Sequence, residues 1–94
     1  MAAVLPLRFR ILHLVNQAEG KPLTTNEIYQ ALYDEYTGEG QFSLDLMEDH
    51  LMSIKAVGLI EAVEPHFDEY GEARYKYRIT TAGQARTKYL PKQL

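Results

Sequence analysis

The strongest constraint on this chain lies between residues 44 and 83. Leu44, Met47, Leu51 and Ile54 recur at spacings of 3, 4 and 3, which puts them on one stripe of an α-helix opened by Ser43 as its cap. Gly58 follows where that helix stops, at a position that favours a left-handed backbone. Leu59 to Glu64 then reads as a strand and Pro65 to Gly71 as a turn region. Arg74 to Thr80 reads as the returning strand, with Tyr75, Tyr77 and Ile79 on one face and Arg74, Lys76 and Arg78 on the other. Thr80 or Thr81 caps a short last helix carrying Ala82, Ala85 and Tyr89, and Pro91 ends it. A helix, a hairpin and a helix in this order leave few folds open.

Two further helices precede this unit. Pro6 suits a first helical turn, and Leu7, Ile11, Leu14, Val15 and Ala18 recur at helical spacing until Gly20 and Pro22. Phe9 and Leu12 fall on nearly the opposite side of that helix with no evident partner inside the chain. Together with Val4 and Leu5 they are expected to form the interface of a homodimer. Thr24 and Glu27 have the spacing of a capping box for a second helix. Its inner stripe is Ile28 and Leu32, and Tyr29, Tyr33 and Tyr36 lie beside it as core edge. Thr37 to Gly40 breaks the pattern. The expected core is Leu14, Ile28, Leu32, Met47, Leu51, Ile54, Leu59 and Ile79.

The 94 residues are expected to form one domain, residues 1–94, with a modest core. No apolar run approaches the roughly 18 residues of a membrane helix. The start Met1 to Leu7 lacks the basic region of a signal peptide, so a cytoplasmic protein without membrane contact is expected. The absence of cysteine excludes disulfides and thiolate chemistry. His13, His50 and His66 lack metal-ligand spacing, and no glycine-rich phosphate loop or nucleophile motif occurs. Neither an enzyme nor a cofactor or metal is expected.

Several local phrases are more specific. Pro22-Leu23-Thr24 with Glu27-Ile28 opens the second helix. Leu51 through Gly58-Leu59-Ile60-Glu61 ends the third, and Tyr77-Arg78-Ile79-Thr80-Thr81-Ala82-Gly83 leaves the hairpin. In these phrases the chain resembles the winged helix-turn-helix domains of bacterial transcription regulators and is most similar to the PadR-like group, over nearly its whole length. The resemblance implies an α+β fold of a three-helix bundle, a two-stranded β wing and a short C-terminal helix. It also implies a dimeric regulator of double-stranded DNA, with the third helix in the major groove and the wing on the backbone. The group's long C-terminal dimerisation region has no counterpart in these residues.

Charge divides the chain unevenly. Residues 43–72 hold one base and eight acids, whereas residues 73–94 hold six bases and no acid. Such asymmetry bears on the choice of partner. The expected nucleic-acid contacts are Ser43, Lys55, Arg74, Lys76 and Arg78, with Arg86 and Lys88 on the last helix. The same row of cations would also suit the solvent face of an edge strand. Against DNA stands the outward face of the third helix, where a rotation of 100° per residue places Asp45, Asp49, Met52, Ser53 and Ala56. Carboxylates there, and Asp68, Glu69 and Glu72 at the wing tip, repel phosphate. The alternative is therefore a protein-interaction module that docks a protein partner through Asp45, Asp49 and Met52.

Overall fold

A computed structural model describes residues 6–88. Val4, Leu5, Tyr89 and Pro91, which entered the expectations above, lie outside the described residues. Helix α1 spans Leu7–Gln17 and begins just after Pro6, whose fixed φ suits a helix start. A two-residue strand, β1 (Leu23–Thr24), leads directly into α2 (Thr25–Tyr36). Thr24 serves as the cap. Its hydroxyl accepts from the Glu27 amide at 3.0 Å while its own amide donates to the Glu27 carboxylate at 2.8 Å, the reciprocal pair read from the sequence. Helix α3 spans Leu44–Ala56, and the Ser43 hydroxyl accepts from the Leu46 amide. Strands β2 (Ile60–Phe67) and β3 (Ala73–Ile79) and helix α4 (Thr81–Thr87) complete the order.

The turn from α3 into β2 needs a left-handed residue, and Gly58 supplies it with φ of 82°. The Gly58 amide donates to the Lys55 carbonyl and the Leu59 amide to the Ile54 carbonyl. Thr80 fastens the other end of the hairpin to this corner. Its hydroxyl donates to the Gly58 carbonyl at 2.7 Å, and its amide donates to the Leu59 carbonyl at 3.2 Å.

The sheet order is β1-β3-β2, all antiparallel. Pairing of Leu23 with Tyr77 and Thr24 with Lys76 makes β3 the middle strand. The sequence expectation of a two-stranded wing thus gains a third strand, and the cations of β3 do not lie on an edge. Strand β2 also runs past the expected end at Glu64. A bulge between Val63 and His66 absorbs Pro65, and Glu64 takes a φ of 50° there. Pro lacks the N–H that a ladder needs, which is why the irregularity sits beside it.

One core gathers Ile11, Leu12, Val15, Ile28, Leu32, Met47, Leu51, Ile54, Ile60, Tyr77 and Ile79. Leu14 and Leu59, expected inside, are half-buried against it. Two helical faces differ from expectation. Leu12 is only 2 % exposed, because α1 is packed by α2, α3, β3 and α4 on more than one side. Its expected role in a dimer interface therefore loses its premise, while Phe9 remains exposed. Leu44, the first residue of the α3 stripe, is 45 % exposed beyond the end of the core. In α4 the inward position belongs to Gly83, and Ala82 and Ala85 face solvent. The tyrosines of α2 close around Phe42, with Tyr29 stacked on it at a centroid distance of 4.7 Å. Arg10 clamps α1 to α2 through a two-pronged contact with Glu35 at 2.9 and 3.2 Å.

Candidate nucleic-acid interface

The surface of α3 away from the core presents Asp45, Asp49, Met52 and Ala56, with Met52 52 % exposed, and Lys55 at its last turn. Ser53, expected outward, is half-buried. Ser43 spends its hydroxyl oxygen on the helix cap and is half-buried. Among the expected nucleic-acid contacts on α3, only Lys55 offers an exposed cation.

The basic row on β3 is present, but each cation already faces a carboxylate. Arg78 lies directly across from Glu61 in the ladder, and its Nε donates to the Glu61 carboxylate at 2.6 Å. Lys76 lies 3.4 Å from Glu64. The strand register alone pairs Lys76 with Val63, and the bulge at Glu64 accompanies the shift that lets this acid reach it. Arg74 Nε donates to Asp68 at 3.0 Å, and its Nη1 comes within 3.6 Å of Glu48 on α3.

Asp68 is a built acceptor. The amides of Glu72 and Tyr70 donate to it, and with Arg74 they hold its carboxyl below the usual range, while the same contact raises the Arg74 guanidinium. Glu48 joins three elements. It accepts from the Thr25 hydroxyl of α2 at 2.8 Å and from the Tyr77 hydroxyl of β3 at 3.2 Å. Burial, and then the Glu48 carboxylate, push the Tyr77 phenol up to about 12. Spacing places Glu48 only on a flank of α3, so its role as a junction carries no sequence signal.

A cleft of about 670 Å3 separates the N-terminal half of α3 from the hairpin. Its walls include Leu44, Asp45, Glu48, Glu69, Tyr70 and Tyr75, with Arg74 between them. Elsewhere, His50 is buried. It accepts from Arg8 Nε at its Nδ1 and donates from Nε2 to the Gln41 carbonyl, a packing role. Among the described residues no group of three metal-ligating side chains assembles, and no helix is long and apolar enough to cross a membrane.

Two solved structures share this arrangement over 87 % of the chain. One is a PadR-like transcriptional regulator of Bacillus cereus, with a TM-score of 0.63, 22 % identity and 74 % of its own chain covered. The other is a candidate transcriptional regulator of Thermoplasma acidophilum, with a TM-score of 0.62, 22 % identity and 77 % covered. The chain is a winged helix-turn-helix. No protein-family model and no curated protein matches it. In this winged helix α3 is the helix that leads into the hairpin, and β2–β3 form the wing. The hairpin's own carboxylates face all three cations of its second strand.

Proposed function

We propose that this winged helix is a cytoplasmic transcription regulator that binds duplex DNA through its wing. The observation that carries the reading is the row of Arg74, Lys76 and Arg78 along the middle strand of the sheet, retained by ion pairs that are all partly exposed to solvent. Exposed ion pairs contribute little to stability. A phosphate backbone therefore competes with the carboxylates on near-equal terms and gains from release of its counterions. The fold shared with the two regulators above supports the same reading. Contact falls on the wing rather than on α3, because Asp45 and Asp49 would meet phosphate without a partner. A homodimer with Phe9 in its interface accompanies this reading, and sedimentation at micromolar concentration showing only monomer would remove it.

The exposed Asp45, Asp49 and Met52 of α3 favour a second reading, in which the domain docks another protein through that helix. Fluorescence anisotropy with labelled random duplex DNA across a salt series separates the two. The DNA reading expects binding at low salt that the triple change Arg74→Ala, Lys76→Ala, Arg78→Ala abolishes or flattens by about one unit of salt slope per lost contact. Absence of binding by the unaltered protein at low salt puts the second reading first.

A further inference from the structure

We infer that the cleft between α3 and the wing is a docking site for a basic, partly apolar segment of another protein, one that alternates Arg or Lys with aliphatic side chains. Its floor already holds a guanidinium. Arg74 lies between Asp68 and Glu48, with Asp68 fixed by the Tyr70 and Glu72 amides and Glu48 fixed by the hydroxyls of Thr25 and Tyr77. These two carboxylates are thus committed to Arg74, and they fix the floor of the cleft in an ordered, acid-rich arrangement.

Above the floor the cleft keeps unspent recognition. Leu44 and Tyr75 are exposed and Tyr70 is 82 % exposed, three large apolar groups on one concavity. Asp45 and Glu69 stand on the same walls. Counting Asp45, Glu48, Asp68 and Glu69 against Arg74 leaves the lining with a net charge of −3. Phosphate is repelled by such a field, whereas a basic segment is drawn to it. Aliphatic stems of Arg and Lys pack on apolar surface while their heads reach carboxylates, and an Arg plane stacks on a tyrosine face. Charge complementarity therefore favours a basic protein segment over nucleic acid. Arg74 is common to this cleft and to the row of wing cations, whereas Asp45, Glu69, Leu44, Tyr70 and Tyr75, which would receive the segment, belong to the cleft and not to that row. The two sites are therefore told apart at Asp45 and Glu69 rather than at Arg74.

The test uses the full chain and a fluorescein-labelled peptide, Gly-Arg-Leu-Lys-Leu-Arg-Leu-Gly, read by polarisation at about 0.1 M salt, where charges beyond about 10 Å are screened. A peptide with Glu at each basic position is the control. The expected result is saturable binding of the basic peptide alone. Asp45→Asn with Glu69→Gln weakens it by roughly tenfold, and Tyr70→Ala weakens it severalfold. A matched pair distant from the cleft, Glu19→Gln with Asp34→Asn, leaves it within about twofold. Equal weakening by both pairs means general charge attraction and overturns the inference, as does failure of the parent to bind. Loss of self-association in Asp45→Asn with Glu69→Gln makes a second copy the occupant and also overturns it. Labelled duplex DNA in parallel wells distinguishes this from the wing's role, and weaker DNA binding by the same pair would place nucleic acid in the cleft and refute the inference.

Discussion

Gly83→Ala sets two effects of known size against each other. At most exposed helical positions an alanine in place of glycine gains up to about 1 kcal/mol from backbone entropy. Gly83, however, is the third residue of α4 and is buried at the corner where α3 turns into β2. A Cβ built there collides with the Leu59 carbonyl oxygen and lies 2.6 Å from Ile79 Cδ1. The methyl of Ile79 can rotate away, but the Leu59 carbonyl cannot easily yield. It accepts from the Thr80 amide, and the adjacent Gly58 carbonyl accepts from the Thr80 hydroxyl. Relief requires α4 to lift from the corner, which strains two hydrogen bonds of about 0.5–1.5 kcal/mol each and loosens packing against α1. Overpacking of this kind costs about 1–3 kcal/mol and outweighs the propensity gain. Urea unfolding followed by far-ultraviolet circular dichroism should show a lower midpoint with an unchanged slope. In a domain of this size, a net loss of about 1 kcal/mol lowers Tm by about 4–8 °C. Ala82→Gly, on the exposed side of the same helix, calibrates propensity alone and should cost no more than about 1 kcal/mol. Stability equal to or above the parent in Gly83→Ala would refute the close approach of α4 to Leu59.

Further outcomes follow from the same contacts. Leu51→Ala, at a fully buried position between α3 and its neighbours, should cost about 2–5 kcal/mol in the same unfolding assay, and a loss below about 0.5 kcal/mol would mean that α3 is turned differently. The Glu27 carboxyl is lowered chiefly by the Thr24 amide, so its contribution is present above the unfolded value and fades as pH falls through the folded one. Glu27→Gln should therefore lose stability at pH 7 and less below about pH 4, with unfolding midpoints across pH as the check. Glu61→Gln with Glu64→Gln frees Arg78 and Lys76 from their carboxylates. If the wing binds DNA, anisotropy should show tighter binding and a salt slope steeper by about one to two units, and unchanged binding would remove the wing from the contact.

Much of the fold was legible because local signals agreed. Thr24 with Glu27, Ser43, Gly58 and Thr80 each stop or start an element through contacts with near neighbours, and the structure places all four as caps or left-handed turns. What escaped depends on distant residues. Strand β1 has two residues, too few for a period, and exists because Tyr77 and Lys76 lie beside it. Leu12 and Leu44 exchanged roles because a helical wheel shows which side chains share a face, while the number of packed faces is set by other elements. At the candidate interface the cations were legible and their partners were not. Glu61 reaches Arg78 through strand register, Glu64 reaches Lys76 at a bulge, and Asp68 reaches Arg74 around the turn. None of these pairings follows from composition.

The middle position of β3 also governs the order in which the molecule can be made. Its partners on β1 lie roughly fifty residues earlier in the chain, a non-local pairing of the kind that slows folding. Translation at about 5–20 residues per second delivers α1, α2 and α3 a second or more before β3 emerges. During that interval Met47, Leu51 and Ile28 have no Tyr77 or Ile79 to cover them. The nascent helices therefore wait with part of their apolar surface in water, and the last strand to leave the ribosome closes both the sheet and the core. A stop or frameshift before residue 76 would leave all three helices in that uncovered state, a substrate for chaperones and proteases rather than a smaller folded domain.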